Sequence, residues 1–207
     1  MRLVSWLLAF LLVSMTDSLA GQPVKLVVLG DSLAAGYGLE AAQAFPARLE
    51  ASLRARGHDI SVINAGVSGD TAQQGLERLD WSIGADADAA IVELGANDAL
   101  RGLDPSETRH SLEGIIARLK ERNIPVMLAG MLAPPNLGAT YKENFDAIYP
   151  ELAKRYGVPF YPFFLDGVAS ERDLNLEDGI HPNAKGIDEI VRRMLPSVEE
   201  FLTRVKD

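Results

Sequence analysis

Three side chains in this sequence could share one path for a proton. Ser32 follows the apolar run Val24–Leu29 and the turn residues Gly30 and Asp31. Asp178 and His181 stand three apart in Asp178-Gly179-Ile180-His181-Pro182, a turn rich in Gly and Pro. That spacing can aim a carboxylate and an imidazole the same way. A carboxylate bonded to one ring nitrogen fixes the tautomer and stabilises the imidazolium, and the other nitrogen can then take a proton from a serine. The chemistry would be nucleophilic attack on an acyl carbonyl. Each residue also has a plainer reading: serine is a preferred helix cap, and Asp-x-x-His is by itself an ordinary turn. Of the other histidines, His58 follows Gly57 beside Asp59 and reads as a solvated loop residue, and His110 falls on a polar helix face.

Acyl transfer also needs donors for a developing oxyanion. Glycine-rich turns supply unshielded N–H groups, so the N–H groups of Ser32 and Gly69 are candidates, with Gly66 as the fallback. The Asn97 amide in Gly95-Ala96-Asn97-Asp98 is a third, although it reads equally as a turn residue or cap. Competing chemistry fits less well. Gly30, Gly36 and Gly38 miss the dinucleotide spacing, and no Gly-Lys-Ser/Thr phosphate loop occurs. Ser32 lacks the Gly-x-Ser-x-Gly elbow of α/β-hydrolases. One such His with scattered carboxylates is not a convincing metal set, and the chain has no Cys, which removes thiol catalysis and disulfides.

These turns need elements to hold them. Apolar runs at Val24–Gly30, Ile60–Asn64, Ala89–Leu94, Val126–Gly130 and Val158–Tyr161 read as strands. Helical spacing separates them: Phe45 to Arg56 with Pro46 in its first turn, Thr71 to Ile83, Asp104-Pro105 to Arg122, Tyr141 to Tyr156 with a kink expected at Pro150, and Ala184 onward with an interruption expected at Pro196. Alternation of apolar strands with helices predicts a parallel sheet covered on both faces, a three-layer α/β domain. In such sheets ligands bind at the carboxyl edge, where the turns holding Ser32, Gly69 and Asn97 must open. Pattern alone leaves the strand order undetermined.

The 207 residues suffice for one domain with a sizeable core. A net charge of −9 argues against a nucleic-acid partner and against attraction to anionic lipid. Residues 1–20 read as a secretory leader: Arg2, an apolar stretch from Leu3 to Val13 broken only by Ser5, and a small-x-small site at Ser18-Leu19-Ala20. The stretch is too short to span a bilayer, which takes roughly 20 apolar residues. The expectation is a periplasmic or secreted bacterial domain over 21–207, with no stable membrane anchor once the leader is cleaved.

Four segments in order resemble the SGNH or GDSL hydrolase superfamily: Gly30-Asp31-Ser32-Leu33, Ser68-Gly69-Asp70-Thr71, Gly95-Ala96-Asn97-Asp98 and Asp178 to Pro182. The resemblance implies a flavodoxin-like α/β/α fold with a five-stranded parallel sheet in the order 2-1-3-4-5. It implies Ser32 as nucleophile, Asp178 and His181 as its partners, an oxyanion hole of Ser32, Gly69 and Asn97, and no cofactor. Gln73 to Leu76, Val92 to Gly95, Leu100-Arg101-Gly102 and Ala147 to Phe164 are similar to a bacterial periplasmic group of acyl thioesterases, lysophospholipases and arylesterases. That implies a small acyl ester or thioester as substrate, a mobile loop near Ala99–Asp104 and an acyl-contacting loop near Leu132–Leu137. Ala96 stands where the group often has Gly, and the Met131–Pro135 loop lacks an arginine. Leu100, Leu103, Leu132 and Leu137 are candidates for an apolar acyl groove or for plain core. A carbohydrate O-acetylesterase uses the same triad. A catalytically silent binding protein on this fold would have lost a triad residue, and none is lost here.

Overall fold

The structure, a computed structural model, describes residues 22–205; the leader expected over residues 1–20 lies outside them. Five strands form one parallel sheet in the order β2-β1-β3-β4-β5: β1 (Val24–Gly30), β2 (Ile60–Gly66), β3 (Ala89–Glu93), β4 (Val126–Ala129) and β5 (Phe160–Tyr161). The helices are α1 (Ser32–Ala35), α2 (Phe45–Ala55), α3 (Ala72–Glu77), α4 (Leu79–Ser82), α5 (Ala96–Leu100), α6 (Pro105–Glu121), α7 (Ala139–Asp146), α8 (Ile148–Tyr156) and α9 (Ala184–Thr203). Every residue of β3 and β4 is buried, as expected where helices cover both faces. On one side α2 packs with α9, joined by the Arg48–Asp188 and Arg56–Glu199 pairs. On the other α6 packs with α3 and α8, and Glu113 of α6 meets Arg155 and the Tyr156 hydroxyl of α8. Among the described residues no helix is long and apolar enough to cross a membrane.

Local chemistry explains where the helices begin. Asp104 caps α6 by accepting from the Ser106 N–H at 2.8 Å, with Pro105 next to it in the first turn. Asn183 caps α9 the same way, accepting from the N–H groups of Lys185 and Gly186. Two prolines behave differently. At Pro150 the expected kink is a full break: α7 ends at Asp146 and α8 starts at Ile148. Pro150 then lies in a first turn, where a missing N–H leaves no bond unmade. At Pro196 the expected interruption does not occur, and α9 runs through it. The apolar face continues on both sides, with Ile190, Val191 and Met194 buried before the proline and Val198, Phe201 and Leu202 after it. Their burial, about 1.5–3 kcal/mol for each large side chain, outweighs the roughly 3 kcal/mol that an interior proline costs. The helix expected from Thr71 to Ile83 divides at Arg78 into α3 and α4.

Candidate active site

Gly30 pairs in register with both Gly66 and Glu93. The carboxyl ends of β1, β2 and β3 therefore lie level, and the turns that follow open side by side. After β1, Asp31 caps α1 by accepting from the Leu33 N–H at 2.9 Å, which makes Ser32 the first helical residue. The Ser32 hydroxyl lies 2.9 Å from Nε2 of His181, and Nδ1 of His181 lies 2.6 Å from Oδ2 of Asp178. The other Asp178 oxygen accepts from the N–H groups of Ile180 and His181, each at 3.0 Å. One carboxylate oxygen thus builds the turn while its twin orients the ring. Partial burial pushes the Asp178 carboxyl up, but the His181 and Ile180 N–H groups and the imidazole outweigh it and bring the pKa down to about 2. With Asp178 ionised, Nδ1 carries the proton and Nε2 is left to accept from Ser32. The Tyr37 ring covers one side of the imidazole, with centroids 4.4 Å apart.

The turn after β2 brings Gly69 with φ +89°, left-handed backbone that favours glycine. Among the described residues neither the Gly69 N–H nor the Ser32 N–H has a hydrogen-bond partner. The Gly66 N–H is committed to Asn64 Oδ1 at 2.9 Å, so the fallback donor is not free. Asn97 arrives on α5. Its amide nitrogen lies 3.0 Å from Asp31 Oδ2 and 3.0 Å from the Asp70 carbonyl, so both of its hydrogens already have acceptors. Gly95 opens α5 at φ +110°, and a Cβ there would fall 2.1 Å from the Tyr149 hydroxyl, which is bonded to the Leu94 carbonyl.

Under these turns lies a buried polar layer. Asp98 accepts from the Ala72 N–H at 2.9 Å and from the Thr108 hydroxyl at 3.0 Å. Arg78 pairs with Asp70 and donates to the carbonyls of Ala65 and Gly30, both at 2.8 Å, bracing the ends of β2 and β1. Glu93 is fully buried, with Oε2 3.4 Å from the Asp31 N–H and no partner for Oε1 among the described residues. Burial, reinforced by the charge of Asp31, pushes the Glu93 carboxyl well above its usual range. Burial also raises Asp31, to about 6, against the lowering pull of the Leu33 N–H, the Asn97 amide and His181. Of this layer, Glu93 left a signal in the sequence: a lone carboxylate in the apolar run Ala89–Leu94. Arg78 and Tyr37 left none, because each reaches its partner across the fold.

A cleft of about 480 Å³ opens over Ser32, Asn97 and His181. Its walls are largely apolar and include Leu33, Leu100, Met131, Leu132, Phe163 and Ile180. Of the four leucines singled out in the sequence, Leu100 and Leu132 line it. Leu103 and Leu137 do not line it; Leu137 lies against the Gly102 turn instead, and the Leu103 carbonyl takes the Tyr141 hydroxyl. Among the described residues no group of three or more His, Asp or Glu is placed to hold a metal ion.

Residues 28–188 match the model of the GDSL-like lipase/acylhydrolase family. The chain is 41% identical over 179 residues to a protein of Escherichia coli K12 named thioesterase 1/protease 1/lysophospholipase L1, covering 86% of this chain and 85% of that one. It is 38% identical over 182 residues to an arylesterase of Vibrio mimicus, with 87% and 89% covered. Among solved structures it is similar to AlinE4, described as an SGNH-hydrolase family esterase, at 48% identity and a TM-score of 0.74, over 87% of this chain and 97% of that one.

Proposed function

The chain belongs to the GDSL-like lipase/acylhydrolase family, and on that footing we propose that it hydrolyses carboxylic esters and thioesters through an acyl-enzyme formed on Ser32. The observation that carries this reading is the row Ser32–His181–Asp178, with contacts of 2.9 and 2.6 Å. His181 Nε2 takes the proton from Ser32 as its Oγ attacks the acyl carbonyl, and Asp178 stabilises the imidazolium. The unpartnered N–H groups of Ser32 and Gly69 receive the oxyanion, joined by the Asn97 amide. His181 then protonates the leaving alcohol or thiol. A water, deprotonated by His181, attacks the ester carbonyl, and the acid leaves as Ser32 recovers its proton. No step calls on a cofactor.

The apolar walls suit an acyl chain longer than acetyl. The names of the relatives span thioester, lysophospholipid and aryl ester, and all three leaving groups meet the same demand at His181 Nε2. The test is a panel on the purified protein: acetyl to octanoyl aryl esters, an acyl thioester, a lysophospholipid and an acetylated glycan. We expect activity that rises from acetyl to octanoyl and a loss on the order of 10⁴ or more in Ser32→Ala and in His181→Ala. Activity retained by Ser32→Ala overturns the mechanism. Preference for the glycan moves the substrate class to carbohydrate acetyl esters.

A further inference from the structure

The oxyanion site depends on a peptide that its own turn holds loosely. Between β2 and α3, Val67 and Ser68 are exposed and Gly69 is half-buried. Within the turn the one backbone bond is Asp70 N–H to the Val67 carbonyl, at 3.2 Å. Glycine rotates more freely than any other residue, and a Cβ on Gly69 would meet no atom closer than Arg101 Nη2, at 3.8 Å. The peptide is steadied from outside. Helix α5 and the residue after it reach across with three side chains: Asn97 donates to the Asp70 carbonyl, Asp98 accepts from the Ala72 N–H, and Arg101 donates to the Gly69 carbonyl at 2.7 Å.

We propose that Arg101 is a positioning residue for the oxyanion site, holding the Gly69 carbonyl so that the Gly69 N–H keeps its aim. The inference rests on the function proposed above. Asn97 and Asp98 secure the downstream side of the turn, at Asp70 and Ala72. Arg101 bonds the residue that carries the donor, and the Gly69–Asp70 peptide it holds has otherwise, among the described residues, the 3.2 Å bond from the Asp70 N–H to the Val67 carbonyl. Fixing the Gly69 carbonyl holds the Gly69–Asp70 peptide plane on one side of the Gly69 α-carbon, so that only the φ and ψ of Gly69 itself orient the N–H on the other. Arg101 is exposed and has no carboxylate partner among the described residues. Its side chain therefore fills no core space, and its bond to a carbonyl is charge-assisted. The arrangement also ties two of the three donors to one short segment, since α5 carries Asn97 and Arg101, just after it, reaches the Gly69 carbonyl.

The test compares Arg101→Met, Arg101→Lys and Arg101→Gly with wild type on an octanoyl aryl ester. We expect Arg101→Met to lower kcat about 10-fold, short of the 10²–10³ typical for complete loss of a donor, with KM and melting temperature unchanged. Arg101→Lys recovers part of the rate, and millimolar guanidinium ion restores part of it in Arg101→Gly. In ¹⁵N spectra the Gly69 amide shifts in Arg101→Met. Wild-type kcat in Arg101→Met overturns the proposal, as does a loss that appears in KM alone or that follows the melting temperature without rescue. Ser32→Ala separates the two claims: if it stays active the hydrolytic mechanism fails, and if it is dead while Arg101→Met is unimpaired only the Arg101 role fails.

Discussion

The floor of the cleft and its walls are built by opposite means. The floor is polar and buried: Asp31, Ser32, Asp70, Arg78, Glu93 and Asp98 are each at most 9% exposed, and hydrogen bonds tie them to the ends of three strands. The walls are apolar and open: Leu100 is 54% exposed, Leu132 41% and Ile180 47%. The loop after β4 is anchored to α7 by one side-chain bond, from the Ala133 N–H to Asp146 at 2.8 Å. Hydrogen bonds are directional and fix atoms in place, which proton transfer and oxyanion stabilisation require. Apolar contact is non-directional and scales with area, which suits chains of several lengths. On the mechanism proposed above, the difference puts chemistry on the floor and selectivity on the walls, and each prediction below tests that division.

Outside Ser32, His181 and Asp178, the largest effect should come from Asn97. Its amide is already bonded to Asp31 and to the Asp70 carbonyl, so stabilising the oxyanion requires it to share or redirect one hydrogen. Asn97→Ala removes the donor and leaves both acceptors unpaired. We expect kcat to fall by about 10²–10³ for acetyl and octanoyl esters alike. Equal losses across chain length mark a floor residue. Unchanged turnover would reduce the oxyanion site to its two backbone N–H groups.

The wall residue Leu132 should act in the opposite pattern. An acyl chain lying in the cleft would cover part of its side chain, worth about 1 kcal/mol, or about 5-fold, once truncated. Leu132→Ala is therefore expected to lower kcat/KM for octanoyl esters about 5-fold and to leave acetyl esters unchanged. A loss of the same size on both substrates would place Leu132 with the floor.

The floor and the walls also differ in how far the sequence discloses them. The turns holding Ser32, Gly69, Asn97 and Asp178–His181 are short-range signals: each is a few residues of Gly, Ser, Asn or Asp after an apolar run. Their meeting at one edge follows from parallel strands, and the alternation of elements predicts those. The strand order is a non-local pairing, and it came from the family resemblance. Single leucines are ambiguous, because core and cleft ask for the same residue; Leu100 and Leu132 face the cleft while Leu103 and Leu137 do not. The braces were the least legible. Arg78 contacts Gly30, 48 residues away, and Arg101 contacts Gly69, 32 residues away, and no local pattern encodes such reaches. Pro196 shows the converse: its local rule predicts a break, and burial along the whole of α9 overrides it.

The smallest effect on catalysis should come from Glu93, although it is a fully buried acid of the floor. Burial and the charge of Asp31 hold its carboxyl well above the ordinary 4.5, so the folded protein keeps a proton that the unfolded chain releases. Between pH 4.5 and that raised value the unfolded state binds fewer protons, and stability falls as pH rises. Glutamine has the shape of the protonated acid and does not titrate. Glu93→Gln should therefore melt with wild type near pH 4.5 and above it at pH 7 to 8, while kcat changes by less than about 3-fold, since Glu93 contacts neither the nucleophile nor a donor. Because the charge of Asp31 acts on Glu93, the divergence between the two curves reports the Glu93–Asp31 pair. Parallel curves would mean that Glu93 is ionised in the fold, and its orphaned oxygen would then need a cation or donor that the floor does not supply. A large loss of kcat at constant melting temperature would instead carry Glu93 from the scaffold of the floor into its chemistry, through the Asp31 N–H that faces it at 3.4 Å.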